Sequence, residues 1–376
     1  MTDDLAARFR TAYAAARRTT SWRRPANPAS AFADLAAACT ELGIDEWDLY
    51  AEHGAVGRLE DELTTLLGKP AAAFFPSGVM AQQVALRIHA DRSGSRRVAL
   101  PDLSHLLVHE EDGPRILQDL RFEFLTRGFQ TPHVDQLAAI PGRLAAVLVE
   151  LPLRDAGCLL PSFEELAELS AGCRERGIAL HIDGARIWES QDHFGRSLPE
   201  IAGLADTLYV SFYKGLGGLA GSALLGAEDV IAEARLWRRR MGGTIFRSTA
   251  EAVSALVGLR DRLPLMADCA AWARSFAAAL PDSITVQPPV PHTNQFLIFT
   301  AGDPDMINER LVAYAESNDL ALGSPWRTTT EPGRAVAELN IGDGALDLDP
   351  VLVAKEVARI ATGDDQSPVI DNMLSQ

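Results

Sequence analysis

The stretch "RLAAVLVELPLRDAGCLLPSFEELAELSAGCRERGIALHID" (143–183) decides the fold. Its first nine residues form a nearly unbroken apolar run, the pattern of a strand covered on both faces. After a loop carrying Pro152 and Gly157, "SFEELAELSAGCRERG" (162–177) reads as a helix. Ser162 is its N-cap, Glu165 completes a capping box three residues on, and Gly177 ends it. "IALHID" (178–183) is the next buried strand. Working outward, "AAAFF" (71–75) enters the turn "PSG" and then a helix, "VMAQQVALRIHADR" (79–92). "DTLYVSF" (206–212) and "SALLG" (222–226) add further strands. Strands joined by helical crossovers predict an α/β fold, a mainly parallel sheet with helices on both faces. From residue 229 a long helical stretch leads away, and "SITVQ" (283–287) and "TNQFLIF" (293–299) read as strands of a smaller α+β domain. The expected division is an N-terminal segment 1–44, a large domain 45–258, a small C-terminal domain 259–362 and a loose polar tail 363–376.

With 376 residues and 47% hydrophobic content, the chain can bury a large core. A net charge of −16 argues against a nucleic-acid or anionic-membrane partner. No apolar run reaches the roughly 18 residues that a membrane span needs. The start, "MTDDLAARFR", has no secretory pattern. The four cysteines, Cys39, Cys158, Cys173 and Cys269, form no C-x-x-C pair or zinc spacing. A cytoplasmic, reducing setting is expected.

Chemistry concentrates where strands end, because open α/β sheets bind ligands beyond the carboxyl ends of their strands. Three polar stretches lie at such ends: "PSG" after 71–75, Asp183 after "IALHI", and Lys214 in "SFYKGLGGLAGSALLG" (211–226). A Ser-Gly turn opening a helix offers free N–H groups to an anion. A carboxylate ending a buried strand needs a partner, which a protonated pyridine nitrogen or Arg186 could supply. Lysine occurs only at Lys69, Lys214 and Lys355 among 35 basic residues. Lys69, at a helix end, and Lys355, in the C-terminal helix, read as surface residues. Lys214 follows a buried strand and precedes glycines that let a ligand come close, and lysine can form an imine where arginine cannot. Anchor, carboxylate and lysine together are what pyridoxal 5'-phosphate requires. The run "GLGGLAG" also matches a dinucleotide loop loosely. However, a strand rather than a long helix follows it, and no acidic ribose partner is evident.

These residues resemble a known family. "HIDGARIWES" (181–190) is similar to the H-x-D-G-A-R-x-W signature of L-threonine aldolases and related β-eliminating lyases. The lysine segment, "FPSGVMAQQVALR" (75–87) and "YAEHGAVGRLEDELTTLLGK" (50–69) are similar to their other motifs, and the likeness runs from about residue 45 to 250. It implies a fold-type I pyridoxal-phosphate enzyme, a homodimer or homotetramer with sites at the subunit interface. It implies that Lys214 holds the cofactor covalently and that Asp183 pairs with the ring nitrogen. Ser77, Gly78 and Val79 would hold the phosphate, His105 would stack on the ring, and Arg186 and Arg334 would bind the substrate carboxylate.

Departures stand beside these matches. "ELPLRDAGC" (150–158) puts Leu153 where the family has a histidine that handles the substrate β-hydroxyl. His105, His109, Tyr50 or a phosphate-bound water would then take that proton. No R-S-D-T motif precedes the domain, only "RRTTSW" (17–22). Tyr213 stands where a serine precedes the lysine, and Val79 replaces a threonine. "RRRMGG" (238–243) approximates a family run whose basic residues reach the phosphate. The expected function is cleavage of the Cα–Cβ bond of a β-hydroxy-α-amino acid to glycine and an aldehyde. The alternatives are β-elimination, racemisation or transamination on the same cofactor, or a catalytically silent scaffold.

Overall fold

The computed structural model describes residues 1–23 and 27–364, so most of the tail expected at 363–376 lies outside the described residues. Two compact units emerge: Ala31–Pro264, and Met1–Ser30 together with the chain from Leu265 on.

The larger unit holds a seven-stranded sheet. Its strands are β1 (Ala71–Phe75), β2 (Arg97–Leu100), β3 (Arg121–Phe124), β4 (Ala146–Glu150), β5 (Ala179–Gly184), β6 (Thr207–Ser211) and β7 (Ser222–Gly226), in the order β1-β7-β6-β5-β4-β2-β3. All pairings are parallel except the two made by β7, which runs antiparallel between β1 and β6. β1 therefore runs the same way as β6. The carboxyl ends of β1, β4, β5 and β6 share one rim.

Between β4 and β5 runs the predicted crossover helix, Phe163–Glu175. Ser162 Oγ accepts from the Glu165 N–H at 3.2 Å, and the Glu165 carboxylate accepts from the Ser162 N–H at 2.7 Å. Strand alternation then sorts the side chains. Ala73, Phe75, Tyr209 and Leu224 pack against helices α1 (Gly78–Ser93) and α2 (Glu228–Arg240), through Ala81, Val84, Ala85, Ile88, Ile231 and Ala234. On the other face, a Cβ added to Gly184 would meet the Leu208 and Ile187 side chains. Ile187 opens the helix Ile187–Phe194, so helices cover both faces.

In the smaller unit an antiparallel sheet runs in the order Arg327–Thr328, Arg334–Asn340, Gln295–Ala301, Ile284–Gln287. Helices Met266–Ala278, Pro304–Asn318 and Pro350–Thr362 accompany it. The N-terminal residues belong to this unit: Arg18–Thr19 pairs in parallel with Leu320–Ala321.

Candidate active site

The site of the larger unit starts at the end of β5. Asp183 is buried, and both carboxylate oxygens are held: Oδ1 accepts from the Ala185 N–H at 3.0 Å, and Oδ2 accepts from the Gln82 amide. Glu150 ends the neighbouring strand and is the register partner of Asp183. It accepts the backbone N–H of His105 at 2.8 Å and that of Arg154 at 3.2 Å. Burial, followed by the charge of Asp183, pushes its carboxyl up to about 7. Sequence reading passed over Glu150. The available signal was a carboxylate at the same strand end as Asp183, one strand away.

At the end of β1, Ser77 caps α1, its Oγ accepting from the Met80 N–H at 3.3 Å. The first-turn N–H groups of Gly78 and Val79 have no acceptor within the helix and point off its positive end. Ser77 and Val79 are exposed while Gly78 is buried. Gly78 has no room for a side chain: an added Cβ would sit 2.0 Å from the Tyr209 hydroxyl.

Lys214 lies in the ten-residue connection between β6 and β7, whose end residues Ser211 and Ser222 are register partners. Inside it the Gly217 N–H donates to the Lys214 carbonyl at 3.0 Å, and the Gly218 N–H donates to the Phe212 carbonyl at 2.7 Å. Gly217 and Gly221 adopt φ of +68° and +89°, backbone that favours glycine. Burial lowers the Lys214 ammonium below the usual lysine range. Asp183, Glu150 and Glu189 oppose that shift and Arg186 adds to it, so all four act on the lysine electrostatically.

Arg186 reaches Glu189 at 3.5 Å, while its buried Nε has no partner. Glu189 is fully buried and its carboxyl is pushed up, chiefly by desolvation. His105 Nδ1 meets the buried Glu110 carboxylate at 3.3 Å, which raises the imidazole, and burial raises Glu110. The His109 ring lies 5.0 Å from that of His105, with Nε2 2.7 Å from Asp155 Oδ2. Leu153 is buried and bonds through its backbone to Leu159.

The larger unit thus brings together Ser77, Gly78, Val79, His105, Asp183, Arg186 and Lys214. Arg334 belongs to the smaller unit, where it pairs with Glu331 at 3.0 Å and lies over the Phe299 ring. In "RRRMGG", Arg238 is buried and donates to the Phe74 carbonyl. No group of metal-ligating side chains occurs among the described residues.

This donor set suits pyridoxal phosphate. Free N–H groups sit at a helix start, a buried carboxylate is held at both oxygens, a lysine is stripped of part of its solvation, and an arginine has an unpaired N–H.

Comparison with known proteins agrees. Low specificity L-threonine aldolase from Escherichia coli (strain K12) is 32% identical over 60% of this chain and 69% of its own. Low-specificity L-threonine aldolase 1 from Arabidopsis thaliana is 27% identical over 70% of this chain and 77% of its own. A solved structure described as a candidate L-allo-threonine aldolase, from Listeria monocytogenes EGD-E, superposes with a TM-score of 0.86 at 33% identity. That match covers 95% of this chain and 98% of the other. Residues 27–303 match the model of the beta-eliminating lyase family, and the chain belongs to that family.

Proposed function

We propose that this chain is a pyridoxal 5'-phosphate-dependent aldehyde-lyase that cleaves the Cα–Cβ bond of threonine-like β-hydroxy-α-amino acids to glycine and an aldehyde. The observation that carries the reading is the convergence of Lys214, Asp183 and Arg186 at one rim, beside the open start of α1. What the cofactor supplies when bound is an electrophilic carbon for an amine and a sink for the electron pair released at Cα.

The chain's own residues do the rest. Lys214, with its ammonium disfavoured by burial, is the nucleophilic amine. Asp183 would pair with the ring nitrogen, His105 would lie against the ring, and Ser77, Gly78 and Val79 would hold the phosphate through a hydroxyl and two N–H groups. Arg186 offers its unpaired Nε to the substrate carboxylate.

The β-hydroxyl proton needs an acceptor, and Leu153 cannot take it. His109 can. Asp155 only accepts, so the proton between them sits on His109 Nε2 and leaves Nδ1 as the basic nitrogen.

The deciding measurement is product analysis of cofactor-loaded protein on threonine, allo-threonine and phenylserine isomers. Glycine plus aldehyde is expected, at least a thousandfold reduced in Lys214→Ala and clearly reduced in His109→Asn, both of which keep a normal melting temperature. Ammonia plus keto acid, or no turnover, would overturn the reading for those substrates.

We also propose that the protein works as a homodimer or homotetramer with sites at the interface. Supporting this is an exposed aromatic patch on the larger unit. Trp47 is 65% exposed, Tyr50 48% and Phe246 52%, with the Arg247 guanidinium over two of these rings. Patches of this kind mark interaction surfaces. A monomer mass in sedimentation, for wild type and Phe246→Asp alike, would contradict it. No described helix is long and apolar enough to cross a membrane, and none of the four cysteines forms a disulfide. A cytoplasmic location suits both observations.

A further inference from the structure

We infer that His89, Thr207, His181 and Gln82 form a one-way hydrogen-bond relay that fixes the Asp183 carboxylate for pairing with the cofactor ring, making all four positioning residues. The inference rests on the cofactor reading above.

The relay follows from two periodicities. Gln82 and His89 are seven residues apart on α1 and share a face. His181 and Asp183 alternate onto one face of β5, and His181 is the register partner of Thr207 on β6. The side chains close a continuous chain. His89 Nε2 lies 2.8 Å from Thr207 Oγ1, Thr207 Oγ1 lies 2.8 Å from His181 Nδ1, and His181 Nε2 lies 2.8 Å from Gln82 Oε1. Gln82 Nε2 ends it on Asp183 Oδ2. All five residues are buried.

Only one polarity satisfies these contacts. A carboxylate only accepts, so the Gln82 amide turns its N–H to Asp183 and its oxygen to His181. His181 therefore donates from Nε2. Burial pushes His181 down to about 3 and His89 down to about 4, so both rings are neutral at ordinary pH. A neutral His181 that donates from Nε2 accepts at Nδ1, which makes the Thr207 hydroxyl a donor. Thr207 Oγ1 then accepts from His89. Every donor points toward Asp183.

Breaking one link releases the rest. Without the Thr207 hydroxyl, His181 Nδ1 loses its donor, and the tautomer that donates from Nε2 is held from the Gln82 side alone. With that support gone, His181 and the Gln82 amide it anchors are held less firmly, and the Gln82 N–H fixes the Asp183 carboxylate less well. A purely structural network would lose stability without changing how the cofactor is held.

Thr207→Val removes the hydroxyl at nearly constant volume, and Thr207→Ser keeps it. Each variant is stripped of cofactor and titrated with pyridoxal phosphate, following the visible absorbance and circular dichroism of the bound form. The melting temperature of the cofactor-free protein is measured beside them. The expectation is a roughly tenfold weaker cofactor affinity in Thr207→Val and an altered visible spectrum, both restored in Thr207→Ser. A lower melting temperature in Thr207→Val with unchanged affinity and spectrum overturns the relay and leaves the cofactor reading intact. Failure of the wild-type chain to take up pyridoxal phosphate overturns both. Should Thr207→Val not fold, Gln82→Leu cuts the last link, and the same titration decides by the same criteria.

Discussion

Gly78 shows how tightly single residues are set at this site. An added Cβ would lie 2.0 Å from the Tyr209 hydroxyl and 2.5 Å from its ring carbon. Tyr209 is buried in the core shared with α1 and cannot retreat. Gly78→Ala must therefore push the start of α1 off the sheet, a clash of about 1–3 kcal/mol. The expected outcome is a lower melting temperature of the cofactor-free protein, with pyridoxal phosphate bound at least tenfold more weakly because the anchoring N–H groups move. Thermal unfolding and cofactor titration check it, and an unchanged pair of values would refute it. At this scale the sequence was most legible at strand ends, because parallel topology sends Ser77, Asp183 and Lys214 to one rim whatever the details of packing. Glu110 was hidden: nothing in "SHLLVHEEDG" marks which of two adjacent glutamates turns inward beside His105. Gln82 and His89 were hidden too, since a polar residue on a helix gives no sign of its face until the strand beneath it is known.

Single elements were legible in proportion to the local chemistry that ends them. The helix after Ser162 was readable because its capping box and stop glycine are covalently local, and it forms over Phe163–Glu175. The direction of β7 was not read from "SALLG", although a physical clue existed. Only ten residues separate Ser211 from Ser222, fewer than the dozen or more that a parallel crossover takes. A short connection of that kind forces a reversal, and β7 pairs antiparallel with β6. The two-residue pairing of Arg18–Thr19 with Leu320–Ala321 had no readable signal, because two residues cannot display a period.

For the molecule as a whole, buried ionisable groups tie stability to pH. Glu150 is raised in the folded state to about 7 from an ordinary 4.5. Below pH 4.5 it is protonated in both states. As pH rises from about 4.5 to about 7, the unfolded chain ionises first and stability is lost. Glu150→Gln escapes that loss. The stability of cofactor-free Glu150→Gln relative to wild type, followed by the two melting temperatures, is therefore expected to climb across that interval by about 3 kcal/mol and level off above it. A flat difference would show that Glu150 does not hold its proton. His89 and His181 act with the opposite sign. Their folded values lie at about 4 and about 3, so stability they preserve at neutral pH is lost as pH falls below 6.5.

The connection that carries Lys214 has a kinetic consequence of its own. Both its ends are stitched into the sheet, the Gly217 and Gly218 amides are spent on its own carbonyls, and the Leu219 amide donates to Ser254 Oγ. The Gly218 N–H, buried and bonded to the Phe212 carbonyl beside the strand end, is expected to exchange more slowly than the exposed Gly217 N–H. Slow deuterium uptake at the amides flanking the lysine segment, Phe212 and Gly218, is the expected sign that the lysine waits for substrate on a pinned platform.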